Sequence, residues 1–187
     1  HVLNINTYLT KRLIGIKIFQ KKIIFDFERT FDSNFALNKK FKFIQIGGND
    51  GVSFDTIYNK ITSRDSNGII LEPSPKYFKQ LKVNYKKYKF IQLLPYAIFE
   101  KRGVTELYEL NEEGLKNHPS WAAGIGSLDM DHLIKLNVKP NEIDKIKVKG
   151  ITFNELIELN PEFNDIDYLQ TAQRALEAVK RGYAYVV

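Results

Sequence analysis

Between Phe41 and Leu94 the chain alternates repeatedly between two hydrophobic periods, and this alternation restricts its fold more than any other feature. Phe41-Lys-Phe-Ile-Gln-Ile46 is a short run rich in β-branched and aromatic residues, the composition of a strand. It leads directly into Gly47-Gly48-Asn49-Asp50-Gly51. Phe54, Ile57, Tyr58 and Ile61 follow at the i, i+3, i+4, i+7 spacing of a helix. Asn67-Gly68 marks a turn, and Ile69-Ile70-Leu71 reads as a buried strand ending at Glu72-Pro73. Ser74-Pro75 then opens a helix, with Ser as its cap and Pro at its first position. Phe78, Leu81 and Tyr85 line one face of that helix, and Phe90-Ile-Gln-Leu-Leu94 is a third strand. Strand, helix, strand, helix, strand predicts a parallel sheet joined by crossover helices.

The rest of the chain is less regular. Val104 to Leu110 alternates as a strand does, residues 111–127 read as a polar, Gly-bearing loop around Trp121, and Leu128 to Leu136 reads as a short helix. Thr152-Phe-Asn-Glu155 is a capping box ahead of another helix, which Asn160-Pro161 ends. Ile166 to Gln170 is expected to be a fourth parallel strand. Residues 1–40 read as an N-terminal helical extension ahead of a main domain at 41–187. Within the extension, Leu9, Leu13, Ile16, Ile23 and Phe27 fall near a helical period, with Lys11, Arg12, Lys17, Lys21 and Lys22 between them. Residues 171–187 form an atypical tail, which holds four of the chain's eight alanines and no Ile or Asn. There, Thr171 to Lys180 reads as a helix and Tyr183 to Val187 as a strand.

Composition removes several classes of function. With 187 residues and 43% hydrophobic content, including 13 Phe and 10 Tyr, the chain can bury a core and is not a disordered segment. It has no Cys, which excludes disulfides, thiolate metal ligands and a Cys nucleophile. No apolar run is long enough for a transmembrane helix, and no secretory signal pattern opens the chain, so the expected compartment is the cytoplasm. The net charge of +6 comes from 28 basic and 22 acidic residues, with the lysines scattered among Ile and Asn. Compositional bias explains that mixture, and no nucleic-acid partner is expected. The basic stripe over residues 9–27 is expected to pack on its own domain; contact with a membrane surface is the alternative reading of such a helix.

The residues that bear on chemistry are the Gly-rich turn and Glu72. A Gly-rich turn after a first strand lets backbone approach a ligand closely, and an acidic residue some 20 positions on, at the end of the next strand, can accept hydrogen bonds from a ribose diol. Gly47 to Gly51 and Glu72 occupy those positions. A dinucleotide fingerprint counted from Gly47 would need glycines at Asn49 and Val52, so a pyrophosphate is disfavoured. No G-x-x-x-x-G-K-[ST] run is present for a mononucleotide phosphate. S-adenosylmethionine (SAM), which has a ribose and an adenine but no phosphate, is the nucleoside cofactor that remains. Asn49 and Asp50 serve equally well as turn formers and as ligand contacts, and Asp50 can cap the following helix. Trp121 is expected to pack over the sheet edge, His132 to be a surface or half-buried residue, and Asp129 and Asp131 to bind no metal.

Several segments, in order, resemble one family. Phe43-Ile-Gln-Ile-Gly-Gly-Asn-Asp-Gly51 is similar to the first motif of FkbM-type SAM-dependent methyltransferases, and Ile70-Leu-Glu-Pro-Ser-Pro-Lys-Tyr-Phe78 to their second. Pro95-Tyr-Ala-Ile98 resembles the segment after their third strand, and Gly124-Ile-Gly-Ser-Leu-Asp129 with His132-Leu resembles a loop of one branch. Ile151 to Leu156 and Asp165 to Gln170 resemble the helix and strand before an acidic D-x-E-G motif. The resemblance spans roughly residues 41–170 and implies a class I Rossmann-like fold: a three-layer α/β sandwich with a mainly parallel sheet, here short of some C-terminal strands. It implies methyl transfer from SAM to a hydroxyl of a saccharide or small metabolite. By position, the Gly47-Gly48-Asn49 turn and Gly51 would meet the methionine part of SAM, Glu72 the ribose, and Tyr96 and Ala97 the adenine. After Gln170 the pattern calls for Ile-Asp-x-Glu-Gly, whereas this chain has Thr171-Ala172-Gln173-Arg174. The alternative expectation is therefore a catalytically inactive Rossmann-like binding or interaction module. No catalytic residue is assigned, because methyl transfer from a sulfonium needs alignment more than a protein nucleophile.

Overall fold

The structure is a computed structural model that describes residues 27–35, 40–53 and 55–171. The predicted stripe from Leu9 to Ile23, Phe54, and the tail from Ala172 to Val187 lie outside the described residues. The chain divides into two compact units, His1–Lys39 and Lys40–Val187. In the first, α1 (Phe27–Asn34) is described, with the rings of Phe31 and Phe35 4.6 Å apart across one turn.

The second unit is α/β and is built on two four-stranded sheets. The first contains β1 (Lys42–Ile46), β2 (Asn67–Leu71), β3 (Ile91–Leu94) and β8 (Tyr168–Thr171) in the order β3-β2-β1-β8, and every pair is parallel. The connections carry α2 (Tyr58–Ser63) between β1 and β2 and α3 (Pro75–Tyr85) between β2 and β3. Alternate residues of these strands face opposite sides. Ile44, Ile46, Ile69 and Leu71 form one buried cluster with Phe153, Leu156 and Ile157 of α6 (Phe153–Leu159). From the other face, Ile70 meets Leu81 of α3 beneath Gly48. At the start of the sheet, the Lys42 N–H donates to Asp167 Oδ2 at 2.8 Å and the Asp167 N–H returns a bond to the Lys42 carbonyl at 2.9 Å. The four predicted parallel strands are all present.

The second sheet differs from the expectation of a single, mainly parallel one. It orders β4 (Tyr96–Ile98), β7 (Ile143–Ile151), β5 (Gly103–Leu110) and β6 (Gly126–Ser127) as β4-β7-β5-β6. β4 runs parallel to β7, while β5 pairs antiparallel with β7 from Gly103↔Gly150 to Leu110↔Ile143. The predicted strand at 104–110 is β5, but β4 and β7 were not expected. Between β5 and β7, the predicted loop contains α4 (Glu112–Asn117) and a 3-10 turn at Ser120–Gly124, and the predicted helix is α5 (Met130–Lys135). Ala97, Leu107 and Val148 form one core of this sheet, and Leu110, Ala122, Leu133 and Val138 form another. Buried Glu142 fixes α4 to the turn before β7: it accepts from Asn117 Nδ2 at 2.8 Å and the Lys139 N–H at 3.0 Å, and pairs with His118 Nε2 at 2.9 Å. His118, followed by the other two donors, holds the carboxyl down to about 2.

Local sequence explains most of the helix boundaries. The capping box ahead of α6 forms as expected: Thr152 Oγ1 accepts from the Glu155 N–H at 3.1 Å, and Glu155 accepts from the Thr152 N–H at 3.0 Å. Ser74 occupies the cap position of α3 with Pro75 behind it, but its hydroxyl makes no capping bond. Thr171 closes β8 rather than opening a helix. Among the described residues no helix is long and apolar enough to cross a membrane.

Gly68 offers a direct test of the packing. A Cβ there would lie 2.2 Å from Cε1 of Phe43, whose ring is fully buried and has no room to withdraw. Gly68→Ala is expected to destabilise the domain by about 1–3 kcal/mol, read as a lower Tm and denaturation midpoint at unchanged m-value.

Candidate functional site

The order of the first sheet reverses at β1: the chain moves to β2 and β3 on one side and returns to β8 on the other. Open α/β sheets bind ligands beyond the carboxyl ends of their strands at such a reversal. Gly47–Gly51 leaves the end of β1 there, and Glu72 follows the end of β2.

A dense set of backbone bonds holds the glycine turn. The N–H groups of Gly47 and Gly48 both donate to the Leu71 carbonyl at 2.9 Å, and the Gly51 N–H donates to the Gly48 carbonyl at 2.8 Å. From α3, Asn84 Nδ2 donates to the Asp50 carbonyl at 2.8 Å and the Tyr85 hydroxyl to the Gly51 carbonyl at 3.2 Å. Asn49 adopts a left-handed backbone at φ 50°, where its N–H donates to Glu72 Oε2 at 2.7 Å. The other oxygen of Glu72 accepts the Ser74 N–H at 2.8 Å. This carboxylate thus satisfies the N–H of Ser74 itself, and not the first-turn N–H groups of α3 that the Ser74 hydroxyl was expected to cap. Ser74 Oγ itself is buried without a partner.

The glycines of the turn face different surroundings. Gly47 has φ 82°, and a Cβ built on it meets nothing within 4 Å, so its outer side is open. Gly51, at φ 75°, is closed in: a Cβ would lie 2.4 Å from the Tyr85 ring and 2.5 Å from Leu81. Gly48 packs inward on Ile70. Open space thus lies on the side of Gly47 where a Cβ would stand, whereas the corresponding sides of Gly48 and Gly51 are filled by Ile70, Leu81 and Tyr85. Ala97 is buried in the core of the second sheet, and Tyr96 is half-buried against the cluster beneath β1 and β2.

The helix expected to start straight after the glycines does not. α2 begins at Tyr58, because carboxylates capture the intervening N–H groups into turns. Asp50 Oδ1 accepts from Val52 and Ser53 at 2.9 Å each, and Asp55 Oδ1 accepts from Ile57 at 2.9 Å. Asp50 therefore caps a turn, not a helix. Burial works against its charge, but the Ser53 hydroxyl and the two N–H groups outweigh it and hold the carboxyl below its ordinary value.

Acidic groups gather at this end of the sheet. Burial pushes the Glu72 carboxyl up to about 7, against the pull of the Ser74 and Asn49 N–H groups, and the charge of Glu109 on β5 adds to the rise. The Tyr77 phenol is raised by burial and then by the charges of Glu109, Glu72 and Asp50. Its hydroxyl donates to the Ala123 carbonyl and so ties the Ser120–Gly124 turn to the first turn of α3. Trp121, on that turn, is 56% exposed instead of packed away.

Beside β8, Gln45 and Gln170 occupy paired positions on adjacent strands. Gln45 Nε2 donates to Asp55 Oδ2 at 3.1 Å, while Oε1 of each glutamine is buried without a partner. Burial raises the Asp55 carboxyl. His132 is half-buried, and among the described residues no group of three His, Asp or Glu is placed to hold a metal ion. The expectations had included the turn and Glu72 but not Tyr77, Asn84, Glu109 or the Gln45–Gln170 pair. A Gln inside each of two otherwise apolar strands was the available signal for the last; nothing local links Tyr77 to Ala123.

The raised Glu72 carboxyl has a consequence for stability. Between its ordinary value of 4.5 and about 7 the folded chain binds the extra proton, so stability falls as pH rises through that window. The decline is about 3 kcal/mol in total. Glu72→Gln should remove this decline whatever its fixed offset, as measured by urea unfolding at intervals from pH 5 to 8. Comparison of the chain with protein-family models, with curated proteins and with solved structures found no match.

Proposed function

We propose that this chain carries a Rossmann-like, SAM-dependent methyltransferase domain of the FkbM type, acting on a hydroxyl of a saccharide or small metabolite. The observation that carries the reading is the 2.7 Å bond from the Asn49 N–H to Glu72, which joins the glycine turn and the acidic residue at one end of the sheet. The ordered resemblance over residues 41–170 supplies the cofactor and the reaction class.

The residues present fit SAM. The open side of Gly47 admits a ligand against backbone. Each Glu72 oxygen accepts one backbone N–H and retains capacity for another donor such as a ribose hydroxyl. The charges of Glu109, Glu72 and Asp50, all of which act on Tyr77, favour a cationic ligand over an anionic one. When bound, SAM supplies an activated methyl on a sulfonium. The chain's own part is to orient: Glu72 fixes the ribose, the Gly47–Asn49 backbone fixes the adjoining part of the ligand, and the turn held by Tyr77 presents Trp121 as a wall.

Two measurements test this. SAM at 100 times its Kd should stabilise the full chain by about 2.7 kcal/mol, and Glu72→Ala should abolish the shift. Ribose hydroxyls bond best to the charged carboxylate, so affinity should weaken as pH falls below about 7. An absent shift, or one that persists unchanged in Glu72→Ala, overturns the reading.

The inactive-module reading rests on the Thr171-Ala172-Gln173-Arg174 run that stands in place of the acidic motif. SAM binding without transfer of labelled methyl to cell extract would favour it, and turnover would remove it.

A further inference from the structure

The net charge of +6 is concentrated in one stretch of the chain. Residues 73–99 hold six lysines, Lys76, Lys79, Lys82, Lys86, Lys87 and Lys89, and no Asp, Glu, Arg or His. The other 22 basic residues of the chain are matched by its 22 acidic ones. All six lysines are exposed, and among the described residues none of them pairs with a carboxylate. Asp65 lies near Lys87 and Lys89. Leu81 and Tyr85 are the buried residues of α3. Lys76, Lys79, Val83 and Lys86 recur at three- and four-residue steps along its opposite side, and Lys82 and Lys87 flank that line.

Helix stability does not account for this stripe. A cation is favourable near a helix C-terminus, which suits Lys82 in the last turn. Lys76 lies in the first turn, which has no acid and where a positive charge is unfavourable. Lys76 and Lys79, Lys79 and Lys82, and Lys82 and Lys86 are like charges three or four residues apart, and such pairs destabilise a helix. The stripe therefore weakens α3 on its own. Aromatic rings nonetheless hold three of the ammoniums: those of Lys76, Lys82 and Lys87 sit 5.0–5.1 Å from the ring centroids of Tyr77, Phe78 and Tyr88. Apolar side chains stand among the charges. Val83 is 60% exposed on α3, and Phe90, after the turn that carries Lys87 and Lys89, is 61% exposed. The Lys40 ammonium, 5.3 Å from the Phe90 centroid, extends the basic surface.

We infer that the outer face of α3 and the turn after it form a docking surface for an anionic lipid bilayer. The lysines would meet the headgroups, and Val83 and Phe90 would reach between them. Lysines clustered on one helix face, with apolar residues among them, suit the headgroup region of an anionic leaflet. A nucleic acid fits less well. The surface is the outside of a helix and not a groove, and it lacks Arg, the residue suited to bidentate phosphate and base contacts. Val83, in the middle of the stripe, offers no ring for a base to stack on. The surface is separate from the basic stripe at residues 9–27 and does not involve Glu72.

The test is co-sedimentation of the full chain with vesicles of phosphatidylcholine, with and without phosphatidylserine. Binding should require phosphatidylserine and should fall steeply as salt is raised to about 0.5 M. Lys79→Gln and Lys86→Gln should each weaken it about fivefold, and Val83→Gln severalfold, without lowering the Tm. The combined Lys17→Gln, Lys21→Gln and Lys22→Gln variant should still bind. The inference is overturned by absent binding to phosphatidylserine vesicles, by equal binding to phosphatidylcholine alone, or by indifference to both α3 lysine substitutions. Loss of binding in the residue 17–22 variant alone, or displacement from the vesicles by an equal mass of mixed-sequence single-stranded RNA, overturns it too. The assay uses neither SAM nor Glu72, so its failure leaves the methyltransferase reading untouched.

Discussion

The arrangement at the carboxyl end of the first sheet depends on one buried carboxylate. Glu72 receives the N–H of Asn49 from the glycine turn and that of Ser74 from the entry to α3, at 2.7 and 2.8 Å. Without it, two buried backbone donors at the ends of neighbouring strands would lose their partners together, and each such loss is expensive. The carboxyl charge is itself costly to bury, and Glu109 approaches from the second sheet to raise that cost. A residue that only closed a turn would be served equally well by an uncharged acceptor. A buried acid with a raised pKa here, beside an open-sided Gly47, fits a group that also faces a ligand.

Much of the first sheet was legible because its signals are local. The apolar strands, the turn at Asn67-Gly68 and the capping box at Thr152 each lie within a few residues, and period and cap chemistry suffice to place them. β7 escaped because Lys145, Lys147 and Lys149 dilute its apolar content, so that only Ile146 and Val148 alternate cleanly. β4 is three residues long and pairs with a strand some fifty positions away. The misplaced start of α2 shows local chemistry competing with itself. Apolar spacing favoured a helix from Phe54, while Asp50 and Asp55 drew the same N–H groups into side-chain turns. The Tyr77–Ala123 bond joins residues 46 apart and left no trace in composition or period.

The two ends of the first sheet carry opposite charge. Glu72, Asp50 and Glu109 gather where the strands finish, whereas Lys40, Lys87 and Lys89 border the place where β2 and β3 begin. A net charge of +6 hides this division, since it averages over both ends.

The placement of β8 also governs how the chain can assemble. Lys42 and Asp167 are 125 residues apart, yet their bonds open the pairing of β1 with its outer neighbour. During synthesis, β1, β2 and β3 emerge before β8, and the free edge of β1 stays unpaired until the 73 residues between Leu94 and Tyr168 have also been made. A bare apolar edge of that kind recruits other chains. The nascent protein is thus most vulnerable to aggregation over the interval in which its second sheet is being made, and slowed translation across residues 100–165 would lengthen that exposure.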